Sequence, residues 1–177
     1  MERKARKKIV LVLNSTPLIY LSKAGLIRKL VTIASIIITN SVYREVVIEG
    51  RKVGAPEVDV VESLINSREV EIRGDPTNTK LVAETYKLGL GESSAILLAL
   101  NEECIAIIDD ERARRTGKIL GVAIHGTMFV LKLMLLQGII KVKEIKDSIE
   151  KMIREGFRIS PEVLIGFIRD IEQEANP

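Results

Sequence analysis

Four short apolar runs punctuate the chain, Ile9–Leu13, Ser35–Thr39, Ile105–Ile108 and Val122–Ile124. They are rich in β-branched residues and do not alternate with polar ones, the pattern of strands buried on both faces of a parallel sheet. A fifth run, Val70–Arg73, is more polar and predicts an edge strand. Between the runs lie segments of helical period with readable starts. Pro17 suits a first helical turn capped by Ser15 or Thr16, Asn40 precedes SVYREVV, Pro56 opens EVDVVESLI, and Gly91 precedes ESSAILLAL. Strands separated by helices imply crossover connections and an α/β three-layer sandwich, a parallel sheet of about five strands flanked by helices. After Gly126 the pattern is helical throughout: TMFVLKLMLLQ, a helix from about Val142 to Arg154, then Gly156 and a last helix opened by Ser160-Pro161-Glu162. Residues 138–177 read as a helical C-terminal cap on the same domain.

The length of 177 residues suits one domain, and no linker or internal repeat divides it. We read a basic tail over residues 1–8 and a single domain over 9–177. The net charge of +3 resides in that tail: MERKARKK sums to +4 and residues 9–177 to −1. The tail can attract phosphate, or can simply keep the first strand soluble. With no Trp, three Tyr and three Phe, the chain lacks the makings of a broad base-stacking surface. No apolar run nears the roughly 20 residues of a membrane span. Ile9–Leu13 is too short for the apolar part of a signal peptide. The expectation is a cytoplasmic protein with no membrane contact. Cys104, the single cysteine, cannot form a disulfide within the chain and reads as a small buried hydrophobe.

In an open parallel sheet, ligands bind beyond the carboxyl ends of the strands where strand order reverses. The residues at those places are mostly acidic. Asn14 follows the first strand, and Asp109 and Asp110 follow IAII. Glu45 lies one turn into the helix after the second strand, and Glu92 stands where the helix before IAII begins. Each has a local explanation as well. Glu92 can complement a helix dipole, Glu45 can be a solvated surface charge, and the Asp109-Asp110 pair can cap the helix ERARRTGK. Gathered at one end of a sheet, however, several carboxylates repel one another unless a cation joins them, and hard oxygen donors favour Mg²⁺ or Mn²⁺.

Other chemistries are excluded. There is no Walker or GxGxxG motif for phosphates, and neither GxSxG nor HExxH occurs. The only histidine, His125, rules out a zinc site that needs two, and in AIHGT it reads as a hydrogen-bonded turn residue. Basic residues do lie near the acids. In ERARRTGK, Arg112 and Arg115 are spaced i,i+3 and Arg114 and Lys118 i,i+4, giving two basic ridges that can hold phosphates; Glu111 and Arg115 can equally form an intrahelical pair. Arg44, beside Glu45, is a further candidate.

Six pieces in order, VLNSTPLIYLSKAGL, VYREV, GLGESSAILLAL, IIDDERARR, HGTMFVLKLMLLQGII and EGFRIS, resemble the PIN-domain nuclease superfamily. Within it they are similar to a prokaryotic, toxin-like branch related to VapC-type ribonucleases, and the resemblance covers nearly the whole chain. It implies a parallel sheet between helices, an acidic site holding Mg²⁺ or Mn²⁺, and cleavage of single-stranded RNA. It places the metal-binding positions at Asn14, Glu45, Glu92 and Asp110, with Asp109 as the alternative register for the last. Glu45, Glu92 and Asp110 would then be catalytic, and Thr16 and Thr127 supporting hydroxyls. It also implies a homodimer and a small antitoxin partner. The chain departs from the family pattern at Asn14, where an aspartate is usual. An amide oxygen still binds cations, but the site has one negative charge fewer. A catalytically silent PIN-like module that binds RNA or a protein is therefore the competing reading. A phosphoryl-accepting receiver-like domain fits less well, because Asn14 and the Thr39-Asn40 junction stand where it needs acids.

Overall fold

The computed structural model describes residues 8–175. Of the basic tail read over residues 1–8, only Lys8 falls within the described residues, and its Nζ donates to the Val31 carbonyl at 2.6 Å. The chain begins with β1 (Ile9–Leu13), α1 (Ser15–Lys23), α2 (Ile27–Ile33) and β2 (Ala34–Thr39). Next come α3 (Asn40–Tyr43), a π-helical stretch (Arg44–Glu49), α4 (Gly50–Lys52), α5 (Glu57–Asn66) and β3 (Val70–Arg73). Then follow α6 (Thr79–Tyr86), α7 (Leu90–Asn101), β4 (Ile105–Ile107), α8 (Glu111–Ile119) and β5 (Ile124–His125). The chain closes with α9 (Thr127–Leu136), α10 (Val142–Arg154) and α11 (Pro161–Ala175).

The five strands form one parallel sheet in the order β3-β2-β1-β4-β5, with β3 at an edge as its polar sequence predicts. Strand alternation divides the interior into two cores. Leu11, Leu13, Ile36, Ile38 and Ile107 point to one, with Leu18, Leu21, Leu30, Val61, Leu131 and Met152 from the helices. Val12, Ile37, Ala106 and Ile108 point to the other, which Ala95, Ile96, Ala99 and Ala113 complete from α7 and α8. A sheet covered on both faces needs apolar side chains at successive positions, which is why its strands show no alternation in sequence. Each large aliphatic side chain buried this way contributes about 1.5–3 kcal/mol. Ile145, Ile149, Met152 and Ile171 of α10 and α11 join the first core, so the C-terminal helices pack on the sandwich itself.

Several boundaries differ from those read in the sequence. The N-cap of α1 is Asn14, not Ser15 or Thr16, and Pro17 sits in the third helical position, where a missing N–H costs nothing. Thr39, one residue before Asn40, caps α3 by accepting from the Val42 N–H at 3.3 Å. Helix α7 starts at Leu90 with Gly89 as N-cap, so Gly91 lies inside the first turn. The strand expected at Val122–Ile124 forms at Ile124–His125. Val122 serves the preceding turn: its N–H donates to the Gly117 carbonyl at 2.9 Å, closing α8 around Gly121, whose φ of +78° favours glycine. Cys104 is partly buried against the second core, and burial pushes its thiol up from the ordinary range. No helix among the described residues is long and apolar enough to cross a membrane.

Candidate active site

The strand order reverses at β1: the chain builds outward through β2 and β3, then returns to place β4 and β5 on the other side. The crevice for ligands therefore lies past the carboxyl ends of β1 and β4. Asn14 stands at this point. Its N–H donates to the Ile107 carbonyl at 3.1 Å, tying the end of β1 to the end of β4. The residue is 5% exposed, and its side-chain Oδ1 is buried with no hydrogen-bond partner among the described residues. An unpaired buried amide oxygen costs about 1–3 kcal/mol, so its position calls for a ligand-based explanation.

Glu45 comes from the π-helical stretch. There Val46 and Val47 turn into the core and Glu45 turns outward, a widened turn of the kind often found at functional sites. The Ser15 hydroxyl donates to its Oε2, and the Gly91 N–H donates to Oε1 at 3.2 Å. A Cβ at Gly91 would stand 2.6 Å from Oε2, so only glycine leaves room for the carboxylate. The elements on either side are fixed by a buried relay. Thr39 Oγ1 accepts from the Val42 N–H, and Ser94 Oγ lies 2.7 Å away and donates to the Gly91 carbonyl at 3.1 Å. This relay holds the end of β2, the start of α3 and the first turn of α7 together.

Glu92 and Asp110 occupy two helix starts. One Glu92 oxygen accepts from the Gly89 N–H at 2.9 Å, and Asp110 Oδ1 caps α8 by accepting from the Ala113 N–H at 2.8 Å. The two acids line one hollow of about 350 Å³ with Lys87, Arg112 and Arg115. Burial raises the pKa of the Glu92 carboxyl, the Gly89 N–H lowers it, the charges of Asp110 and Glu45 raise it further, and Arg112 lowers it. Glu92 thus feels the charges of both Asp110 and Glu45. Glu45 lines a neighbouring hollow, also of about 350 Å³, with Arg44, Asp75 and Lys80.

Asp109 is different. Its Oδ1 accepts from the Thr127 N–H at 2.7 Å and its Oδ2 from the Thr127 hydroxyl at 2.6 Å, so both oxygens are committed to the start of α9. Burial pushes this carboxyl up, while the two Thr127 donors and then Arg114 pull it down. Thr127 thus bonds to Asp109, the alternative register of the two acids. The hydroxyl that meets Glu45 is that of Ser15. His125, expected as a hydrogen-bonded turn residue, is exposed on β5 with its ring stacked on Phe129.

Of the basic candidates, Arg112 donates to the Lys87 carbonyl at 3.2 Å beside the acids. Arg115 pairs with Glu111 at 2.6 Å, the intrahelical pair read in the sequence, and borders the acid hollow. Lys118 faces another hollow, with His125. Sequence reasoning missed Ser15, Gly91, Lys80 and Lys87. Only Gly91 had a visible signal, the closely spaced glycines of GLGES.

Among the described residues no three carboxylate, imidazole or thiol groups stand close enough together to hold an ion. Each acid is engaged by a local donor. The donor chemistry nevertheless fits a hard divalent cation: a carboxyl, Glu92, that feels two others, a buried unpaired amide oxygen, and no sulfur or imidazole.

A family model described as DUF3368, PIN domain, matches residues 10–173. Among solved structures, the chain is similar to PAE2754 from Pyrobaculum aerophilum, with a TM-score of 0.55 at 13% identity, covering 72% of this chain and 96% of that one. It is also similar to SSO1118, a PilT N-terminus domain protein from Sulfolobus solfataricus P2, with a TM-score of 0.49 at 19% identity, covering 72% and 94%. No curated protein matches.

Proposed function

We propose that this chain, which belongs to the PIN-domain family, is a divalent-metal-dependent endoribonuclease acting on single-stranded RNA. The observation that carries this reading is the buried Asn14 Oδ1, unpaired among the described residues at the strand-order reversal, beside a Glu92 carboxyl that feels the charges of Asp110 and Glu45. In the proposal Glu45, Glu92 and Asp110 hold Mg²⁺ or Mn²⁺, and Asn14 supplies a neutral oxygen. When bound, such an ion stabilises charge on the scissile phosphate and acidifies a water for attack.

The chain's own residues do the rest. Ser15 and Gly91 fix the direction of Glu45. The Gly89 N–H orients Glu92, whose raised pKa reflects burial among like charges and makes its carboxylate responsive to added positive charge. Arg112, Arg115 and Lys87 on one side, and Arg44 and Lys80 on the other, offer cations to phosphates flanking the acids. Such contacts position a backbone without reading bases, so cleavage should depend weakly on sequence. No histidine stands among the acids, since His125 lines a different hollow.

The test is incubation of the purified chain with mixed single-stranded RNA in Mn²⁺, Mg²⁺ or EDTA, beside Asp110→Asn. Cleavage that needs the ion and vanishes in the variant supports the reading; cleavage equal in both, or none above the variant's background, refutes it. A silent binding module would give the last result. The same proposal takes the chain as the toxin half of a toxin–antitoxin pair, working as a homodimer, and light scattering of the purified chain tests the dimer first.

A further inference from the structure

The two basic ridges of α8 open into different hollows. Arg112 borders the one that holds Glu92 and Asp110. Arg114 and Lys118 border a second, of about 330 Å³, whose other wall is Ile124, His125 and Gly126 at the end of β5. Glu111 and Arg115 line both, so the hollows adjoin across the first turns of α8.

The second hollow has an aromatic element that the first lacks. His125 is exposed, and its imidazole is stacked on Phe129 with ring centroids 4.1 Å apart and planes 12° from parallel. Its backbone is pinned in the sheet: the strand register pairs it with Ile107, and its carbonyl accepts from the Ile108 N–H at 2.8 Å. Lys118 acts on the ring, and Arg114 lines the same hollow while its charge also reaches Asp109. Lys118 has no ion pair among the described residues. Arg114 is admitted by Gly126, where a Cβ would stand 2.9 Å from Arg114 Nη1 and from Asp109 Oδ1.

We infer that the His125–Phe129 ring pair, with Lys118 and Arg114, forms a subsite for one nucleotide of a single-stranded RNA, the base on the imidazole and its phosphate on the cations. A rigid aromatic face beside cations is the arrangement that holds a single-stranded nucleic acid without reading its sequence. An acidic peptide would use the cations and leave the ring idle, so the ring favours a nucleotide. Contiguity with the acid hollow gives the strand a direction: from the acids, over the start of α8, to the edge of the sheet at β5. Burial, then Lys118, pushes the imidazole below the ordinary histidine range, which leaves a neutral ring at neutral pH. The inference takes the identity of its ligand from the ribonuclease reading but concerns binding, which is separable from cleavage.

The experiment is fluorescence anisotropy of a short 5′-labelled single-stranded RNA in EDTA, with wild type, His125→Ala, His125→Tyr and Lys118→Gln, each checked by thermal melting. His125→Ala should weaken binding about tenfold, and His125→Tyr should bind within about twofold of wild type, because stacking tolerates any aromatic face. Lys118→Gln should weaken binding and flatten its salt dependence. Equal binding by wild type and His125→Ala, or a tyrosine variant as weak as the alanine one, overturns the subsite. Cleavage by wild type in Mn²⁺ that is indifferent to His125 refutes the subsite alone. His125-dependent binding without any cleavage refutes the nuclease reading and leaves the subsite standing. No RNA binding in EDTA refutes the subsite, and the nuclease reading is then judged by cleavage in Mn²⁺ alone.

Discussion

The carboxylate of Glu45 rests on the backbone of Gly91, taking its N–H at 3.2 Å and occupying the space where any larger residue would put its Cβ. Gly91 lies in the first turn of helix α7, where alanine suits the backbone and the atoms its Cβ would meet are the far end of the Glu45 side chain. Gly91→Ala should therefore keep or raise Tm while displacing Glu45, and a displacement near 1 Å costs about a hundredfold in rate at a positioned group. Melting and RNA cleavage measured together check this. Unchanged cleavage with a raised Tm would mean that Glu45 need not stand where Gly91 holds it.

Asp109 and Asp110 are neighbours with opposite duties. Asp109→Ala strips both partners from Thr127 in a buried setting, a loss of about 1–3 kcal/mol, and each kcal/mol lowers Tm by about 2–4 °C in a domain of this size. Asp110→Asn retains a capping side chain for α8, so its Tm should stay near wild type while metal-dependent cleavage is lost. The reverse pattern would exchange their roles.

Asn14→Asp adds a carboxylate at a buried position just past the end of β1, where the amide oxygen already lacks a partner. Without divalent ion the variant should melt below wild type, and Mn²⁺ should raise its Tm by more than it raises that of wild type. Equal Mn²⁺ shifts would remove Asn14 from the ion's surroundings.

His125 is the only histidine, so its proton NMR signal can be read without assignment. Its pKa should fall below the ordinary 6.5, with burial as the larger cause and Lys118 the smaller. The folded chain then takes up this proton less readily than the unfolded one. The side chain contributes stability that is fully present above about 6.5 and is lost as pH falls through the depressed value. Lys118→Gln should move the titration upward. A pKa at or above 6.5 in wild type would contradict the partial desolvation of the ring and its nearness to Lys118.

The fold was legible because both faces of the sheet are buried: an unalternating run such as Ile9–Leu13 leaves little else to be. The places of Asn14, Glu92 and Asp110 on the fold were legible, because strand ends and helix starts announce themselves locally. The site was not legible where contacts span the chain. Asp109 and Asp110 are equivalent in sequence until Thr127, eighteen residues on, claims the first. Nothing local distinguishes Ser15 from Thr16 until the π-helical stretch brings Glu45 against one of them. That stretch depends on burying Val46 and Val47 while Glu45 turns out, a tertiary requirement that helical periodicity does not encode. The pairing of His125 with Phe129 follows from β5 beginning at Ile124, two residues later than the apolar run suggests.

The central claim, that the acids past β1 and β4 hold a divalent ion, is tested most directly by titrating Mn²⁺ into the RNA-free protein and following the free-ion signal by electron paramagnetic resonance. Wild type should bind Mn²⁺, Asp110→Asn should bind it at least about tenfold more weakly, and Asp109→Asn should bind it nearly as wild type does. Binding equal in wild type and Asp110→Asn, or lost only in Asp109→Asn, would contradict the account.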